Sequence, residues 1–372
     1  MTEGAVDARD ARTVVEWLTG RHVSFRRALF GARGASLDPA AAALGADDVL
    51  FAPVGASVET DARVIRYDGA FDDVGDVLHV AGHAVELQHY AAAAYVELLG
   101  PTAMRFLDAD GWRAFLADAD LARESGVFTD PLTDTRLRLA DADVLRAPFD
   151  LAPPSALHLH ADGRVTAGAQ GAAVGGAADV GAVLATPRPL WTALAGIVDP
   201  DELARGLVTR PWLGRFLGAA SLAASLAASL GEDAGEIDGF GWTAPSAPEG
   251  DAVVRVDDPF LVRTTGGVLL IDLRTRRRQR LADATVTVVS TLQSSSDPSR
   301  AAARLARAQR LSLADARRLC AEATDVLGVR TGLPSSMNAD AGNVIAPDAR
   351  ATEAARPGGG KRQASAVVGG GE

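Results

Sequence analysis

This chain has one cysteine, Cys320, one lysine, Lys361, and little aromatic side-chain content, about 5% of its 372 residues. A single thiol excludes an intramolecular disulfide, a cysteine-rich zinc site and an iron–sulfur cluster, so radical chemistry built on a cluster is excluded too. Cys320 lies on the apolar side of a helical pattern and reads as a small core residue rather than a nucleophile. With lysine almost absent, the basic residues are arginines; with abundant Ala, Gly, Asp and Val this suggests a high-GC bacterial source. No apolar run is long enough to span a bilayer. Phe216 to Leu230 is too short, and its Ser-Leu-Ala-Ala repeat suggests a helix with a small-residue packing face. The start, MTEGAVDARDARTVVEWL, lacks the order of a secretory signal, and cytoplasmic residence is expected.

Catalytic signatures are missing as well. There is no HExxH, no GK[ST] loop, no GxGxxG at a strand-to-helix junction and no GxSxG around Ser57, Ser125 or Ser155. The glycines of 167–181 (AGAQGAAVGGAADVG) read as a flexible loop. Paired carboxylates such as Asp72 and Asp73 are too common in a chain of net charge -11 to mark acid–base catalysis. His79, His83 and Glu86 would share one side of a helix and could ligate zinc or iron, but Gly82 weakens that helix and 76–80 could equally be a strand. His158 and His160 share one face of a strand and read as polar sheet surface. No cofactor is expected, and nothing here identifies an enzyme.

What is present is concentrated in 255–333. The segment PFLVRTTGGVLLIDLRTRRRQRLAD reads as strands over 259–264, 268–273 and 276–281, with Gly266 and Gly267 turning the first hairpin. A helix opens at Ala282 or Asp283, with Val288, Val289 and Leu292 on one face. Asp297-Pro298 caps a second helix reaching about Ala308. Ser312-Leu-Ala-Asp315 resembles a capping box for a third, in which Leu313, Ala316, Cys320, Ala323 and Leu327 recur at spacings of three and four, and Gly328 closes it. The third strand is expected at the sheet edge, where unpaired N–H and C=O groups can accept an extended peptide. From Arg255 to Arg280 there are seven Arg against three Asp, a local reversal of the overall charge that would steer an acidic peptide. A solvated edge protected by charge is the plainer alternative.

This βββααα order, with its hairpin glycines and Gly332-Leu333 ending, resembles the PqqD-like RiPP recognition element. That winged-helix-type domain captures the leader of a ribosomally made peptide so that partner enzymes can modify its core. The resemblance covers about a fifth of the chain. It implies a leader groove lined by Arg276, Arg278, Arg280 and Leu281 on the third strand, and by Arg317, Leu319, Cys320 and Ala323 on the third helix. By domain organisation the whole chain is similar to the daptide biosynthesis RiPP recognition proteins. This implies cooperation with a separate dehydrogenase on a precursor's C-terminal threonine, before an aminotransferase and a methyltransferase act.

The expected fold class is α+β: a mixed α/β N-terminal domain over 1–230, a Gly- and Pro-rich acidic linker over 231–252, the winged-helix-like recognition domain over 253–333, able to fold alone, and a disordered tail over 334–372. N-terminal strands are expected at 49–54, 63–67, 94–99, 103–107, 156–160 and 164–167, and helices at 10–18 and 111–121. The N-terminal domain would serve docking or scaffolding. The expected partners are a precursor leader and modifying enzymes, with no nucleic acid and no membrane. Two other readings remain open: a winged-helix DNA-binding regulator, opposed by the acidic chain and by Glu322 and Asp325 after Arg317 and Arg318, and a metal-dependent enzyme with a C-terminal substrate clamp.

Overall fold

Two features organise the N-terminal part: apolar strand runs that alternate between two cores, and a helix laid across one of them. The computed structural model describes residues 3–230, 235–244 and 250–334 and shows a mixed α+β protein. Helix α1 (Glu3–Thr19) is followed by β1 (Ala28–Gly31), α2 (Asp38–Ala41), β2 (Val49–Pro53), β3 (Arg63–Gly69), β4 (Val77–Val80), β5 (His83–His89) and β6 (Thr102–Arg105). Then come α3 (Ala109–Ser125), α4 (Asp130–Thr133), β7 (Leu137–Leu139), β8 (Leu151–Ala152), β9 (Ala156–Leu159), β10 (Arg164–Ala167), β11 (Ala173–Gly176), α5 (Val180–Ala185), β12 (Arg188–Pro189), α6 (Pro200–Val208) and α7 (Leu213–Leu230).

Strands β11-β10-β9-β1-β2-β3-β4-β5-β6-β7 form one mixed sheet, while β8 pairs with β12. β9, β1, β2 and β3 run parallel, the β3–β4–β5 pairs are antiparallel, and β5, β6 and β7 are again parallel. β1 and β2 are buried along their whole length, as central parallel strands are. Successive side chains serve opposite faces: Phe30 and Phe51 pack under Trp17 of α1, and Leu29 and Leu50 pack beneath α2 and α5. Trp17 stacks on Phe30 with ring centroids 5.0 Å apart.

The C-terminal part comprises β13 (Glu236–Asp238), β14 (Gly241–Trp242), β15 (Ala252–Val253), β16 (Phe260–Thr264), β17 (Gly267–Asp272), β18 (Arg277–Leu281), α8 (Asp283–Gln293), α9 (Pro298–Gln309), α10 (Leu313–Leu327) and β19 (Leu333–Pro334). Its sheet order is β14-β13-β16-β17-β18, and β15 pairs with β19. The helix ends follow their local signals. Asp297 accepts from the Ser299 and Arg300 amides, Ser312 accepts from the Asp315 amide, and Gly328 caps α10 at φ 69°.

Three sequence expectations change. Residues 94–99 are not a strand: β5 and β6 are parallel, so the chain between them must cross back, and it does so with Tyr95 and Leu99 fully exposed. The glycine-rich 167–181 segment is ordered into β11 and α5; a Cβ on Gly171 would stand 1.7 Å from the Ala167 carbonyl, so glycine is there for close backbone approach. Within 231–252, read as a linker, β13 and β14 complete the C-terminal sheet, and at Gly241, with φ 73°, a Cβ would stand 2.6 Å from the Gly126 amide. The expected disordered tail, apart from Pro334 in β19, lies outside the described residues.

The C-terminal sheet has two buried faces. Leu261, Leu270 and Leu281 meet α8, α9 and α10, whereas Phe260, Val262 and Ile271 join a core with Phe106, Trp112, Phe115 and Phe216 of the N-terminal part. A fragment 253–333 would lose β13, the partner of β16, and expose those three side chains, at about 1.5–3 kcal/mol each. We therefore expect that fragment to melt non-cooperatively in circular dichroism, with residues 1–334 showing a single cooperative transition. A cooperative melt of the fragment would show that the shared core is dispensable.

Candidate functional site

The third strand of the C-terminal sheet, β18, is its last strand, so one side of its backbone has no strand partner among the described residues. Two turns place it there. The β16–β17 hairpin closes Thr264 on Gly267 through Thr265 and Gly266, one residue earlier than the expected Gly266-Gly267 turn. In the β17–β18 turn, the Asp272 carboxylate accepts from the Arg274 and Thr275 amides and from the Thr275 hydroxyl, and Arg276 takes φ 58°. Arg276 therefore belongs to the turn, and the strand starts at Arg277.

Register separates the remaining strand residues. Arg278 and Arg280 stand opposite Ile271 and Leu269, on the side facing α7, where Arg278 Nη2 donates to Ser225 Oγ at 3.4 Å. Arg277, Gln279 and Leu281 stand opposite Asp272, Leu270 and Val268, on the side of the helices, and Arg277 Nη1 donates to the Val326 carbonyl at 3.3 Å. Leu281, Cys320 and Ala323 are buried in the helical core, where burial also pushes the Cys320 thiol pKa up. They shape the floor between β18 and α10 without offering surface of their own. Arg317 is exposed on α10 and Leu319 is half-buried. The eight residues implied by the resemblance thus divide among a turn, two faces of a strand, a helix surface and a core. Arg277 and Gln279, which share the helix-facing side of β18, were missed. Counting in twos back from a core-facing Leu281 would have found them.

The edge is strongly basic. Arg274, Arg276, Arg277, Arg278 and Arg280 are all exposed, and none has a carboxylate within 4.0 Å among the described residues. By contrast Arg263, two strands away, pairs with Glu236 across β16 and β13. On α10, Arg318 pairs with Asp315 at 3.1 Å, and Glu322 and Asp325 are exposed.

The metal-ligating set is not assembled. His79 and His83 flank a hairpin turn at Ala81-Gly82, with φ 52° and 75°, where a helix would have been needed. His79 pairs with Ala84 and His83 with Val80, so His79 and Glu86 lie on one face and His83 on the other. Among the described residues no three His, Cys, Asp or Glu are placed to hold a metal.

His158 is not polar sheet surface. It is buried beside Phe30 and stacked on His160 at 4.4 Å, and burial, then the nearby Arg105, drives its pKa well below the ordinary histidine value. Arg105 is itself buried, donates to the Phe71 carbonyl at 2.7 Å, and has its pKa lowered to about 10 by burial. Asp141, also buried, is raised from 3.8 to about 6 by burial, against the opposing pull of Arg105. The folded protein holds that proton more tightly than the unfolded chain, so this stabilisation is full below about pH 4 and is lost as pH rises through about 6. Asp141→Asn cannot ionise. Relative to wild type it should gain about 2–3 kcal/mol between about pH 4 and about pH 7, read from urea midpoints at each pH. Parallel stability curves for the two proteins would refute this.

No family model matches the chain, and neither a curated protein nor a solved structure matches it. Among the described residues, no helix is long and apolar enough to cross a membrane.

Proposed function

We propose that this protein is a recognition subunit for the leader segment of a ribosomally made precursor peptide, and that its C-terminal βββααα unit is a PqqD-like, winged-helix-type recognition element. The leader adds to the sheet as an extended strand on β18, with its acidic side chains against Arg277, Arg278 and Arg280 and its apolar side chains over the strip between β18 and α10. The remainder of the chain docks a modifying enzyme, a dehydrogenase in the daptide-type pathway that the whole chain resembles.

The observation that carries this reading is the unpaired edge strand, whose three arginines and the two of the turn before it lack carboxylate partners among the described residues. Main-chain pairing supplies affinity in such strand addition, and the charge supplies partner choice.

The test uses the full chain and a fluorescein-labelled acidic leader peptide, followed by anisotropy. Binding should weaken several-fold from about 0.1 M to about 1 M salt, as the Debye length falls from about 10 Å to about 3 Å. A peptide with every Glu and Asp amidated should bind weakly at both. No binding by acidic peptides, or equal binding by the amidated one, would end the proposal.

A further inference from the structure

Far from β18, a cleft of about 400 Å³ opens at the carboxyl ends of β1, β3 and β9. Arg33, Tyr67, Asp72, His160, Asp162 and Arg164 line it, with small residues between them. The chain leaves β1 toward β2 on one side and leaves β9 toward β10 on the other. The loop after β1 and the tight antiparallel β9–β10 turn border a crevice beyond the carboxyl ends of the parallel strands, a common position for ligands in α/β sheets.

Hydrogen bonding shows which polar groups the fold has already used. Arg33 pairs with Asp68, whose carboxylate also accepts from the Gly69 amide at 2.8 Å. Arg164 Nε lies 3.6 Å from Asp162, which accepts from the Arg164 amide at 3.0 Å. Each guanidinium of the cleft thus stands beside a carboxylate, so the two pairs bring no net charge to it, although both keep free N–H groups. The Tyr67 hydroxyl donates to the Gly31 carbonyl at 2.8 Å, leaving only its lone pairs. Thr166 Oγ1 donates to the Gly168 carbonyl at 2.7 Å, so toward His160 Nε2, at 3.1 Å, it must accept. His160 therefore carries its proton on Nε2 and presents a bare Nδ1. The Asp72 carboxylate has the neutral His158 ring, Nε2 at 3.7 Å, beside it and no arginine within 4.0 Å among the described residues. Arg105, deeper in the sheet, is offset first by Asp141.

Apart from the N–H groups of these two neutralised pairs, the cleft offers acceptors: a carboxylate, an imidazole nitrogen and a phenolic oxygen. Asp72 is near enough to raise the pKa of both Tyr67 and His160, although burial dominates each and leaves His160 below its ordinary value. Behind Asp72, His158 is 2% exposed with neither ring nitrogen hydrogen-bonded, so the polar groups at this end of the sheet are not spent on the fold. A ligand complementary to three acceptors and one negative charge has three N–H donors on a cation. We propose that this cleft binds a protonated primary amine, held by the Asp72 carboxylate, His160 Nδ1 and the Tyr67 oxygen. This site is independent of the β18 edge, and its test does not involve that edge.

Saturation-transfer NMR on the full chain at neutral pH tests it with phenethylamine, its neutral isostere phenethyl alcohol and the anion hydrocinnamate. Phenethylamine should receive saturation, and the other two much less. Asp72→Asn should weaken phenethylamine at least tenfold, whereas Asp110→Asn, on the exposed start of α3, should not. The Asp72 side chain is 56% exposed, so the variant should keep the wild-type melting curve. A short peptide with a free N-terminus, beside its N-acetylated form, separates the sources: binding by the free form alone places the ammonium on a peptide end, and binding by phenethylamine alone places it on a small free amine. Either supports the site. Hydrocinnamate binding as well as phenethylamine, or unchanged amine binding in a folded Asp72→Asn variant, would overturn it.

Discussion

Replacing Arg215 with alanine should lower the unfolding free energy by about 3–5 kcal/mol, the range for removing one member of a buried charged network. Arg215 is on α7, is 4% exposed, and donates to the carbonyls of Arg255 at 3.1 Å, Asp258 at 2.9 Å and Pro259 at 3.0 Å. Its guanidinium lies 3.9 Å from the Phe260 ring centroid. Burial lowers its pKa to about 10, which still leaves it charged at neutral pH, with Asp238 and Asp258 as the leading opposing charges. Alanine would strand the buried Asp258 carbonyl just where β16 begins, since the Arg255 and Pro259 carbonyls keep the Asp258 amide and Gln293 Nε2, and an unsatisfied buried acceptor costs about 1–3 kcal/mol. Lysine keeps the charge but not the planar fork, so Arg215→Lys should fall between the two. Urea unfolding followed by circular dichroism checks the series. A loss under about 1 kcal/mol for alanine would mean that α7 does not anchor the C-terminal sheet through this residue.

The second large effect concerns the edge. Arg277→Glu combined with Arg278→Glu should weaken an acidic leader peptide more than tenfold, equivalent to about 1.4 kcal/mol or more. Both side chains are exposed, and such surface changes usually alter stability by less than about 0.5 kcal/mol, so the variant should remain folded. Arg307→Glu, exposed on α9, is the control for total charge. The single variants are informative because the two side chains leave β18 on opposite faces. A larger loss from Arg277 would place the peptide's acidic groups on the α10 side, and a larger loss from Arg278 would place them toward α7. Unchanged affinity in the double variant would leave β18 as a solvated edge.

Parts of this architecture were legible beforehand. Asp297, Ser312 and Gly328 set the ends of α9 and α10 because a cap is made between residues two to four apart, and those signals stand in the chain itself. The apolar run expected at 49–54 was equally clear as a strand, since burial on both faces leaves no alternation to misread, whereas the strand expected at 156–160 was legible but its buried His158 was not. The hairpin at His79–His83 was ambiguous for the opposite reason. Its histidines suit either a helix face or a strand pair, and only the pairing of Val77 with Glu86 across the turn chooses the strand.

By itself, then, the sequence determined the order of three strands and three helices at the C-terminus and the concentration of arginine there, both of which depend on neighbours within a turn or a hairpin. Tertiary structure decided which side each arginine takes, because strand parity has meaning only once Leu281 is seated against Cys320 and Ala323. It also decided that Phe260, Val262 and Ile271 share a core with Phe216, and that Tyr67, Asp72 and His160 meet at one cleft. Those groupings join Phe260 to Phe216 and His160 to Tyr67, 44 and 93 positions apart. They follow from sheet order and burial, which no local pattern encodes.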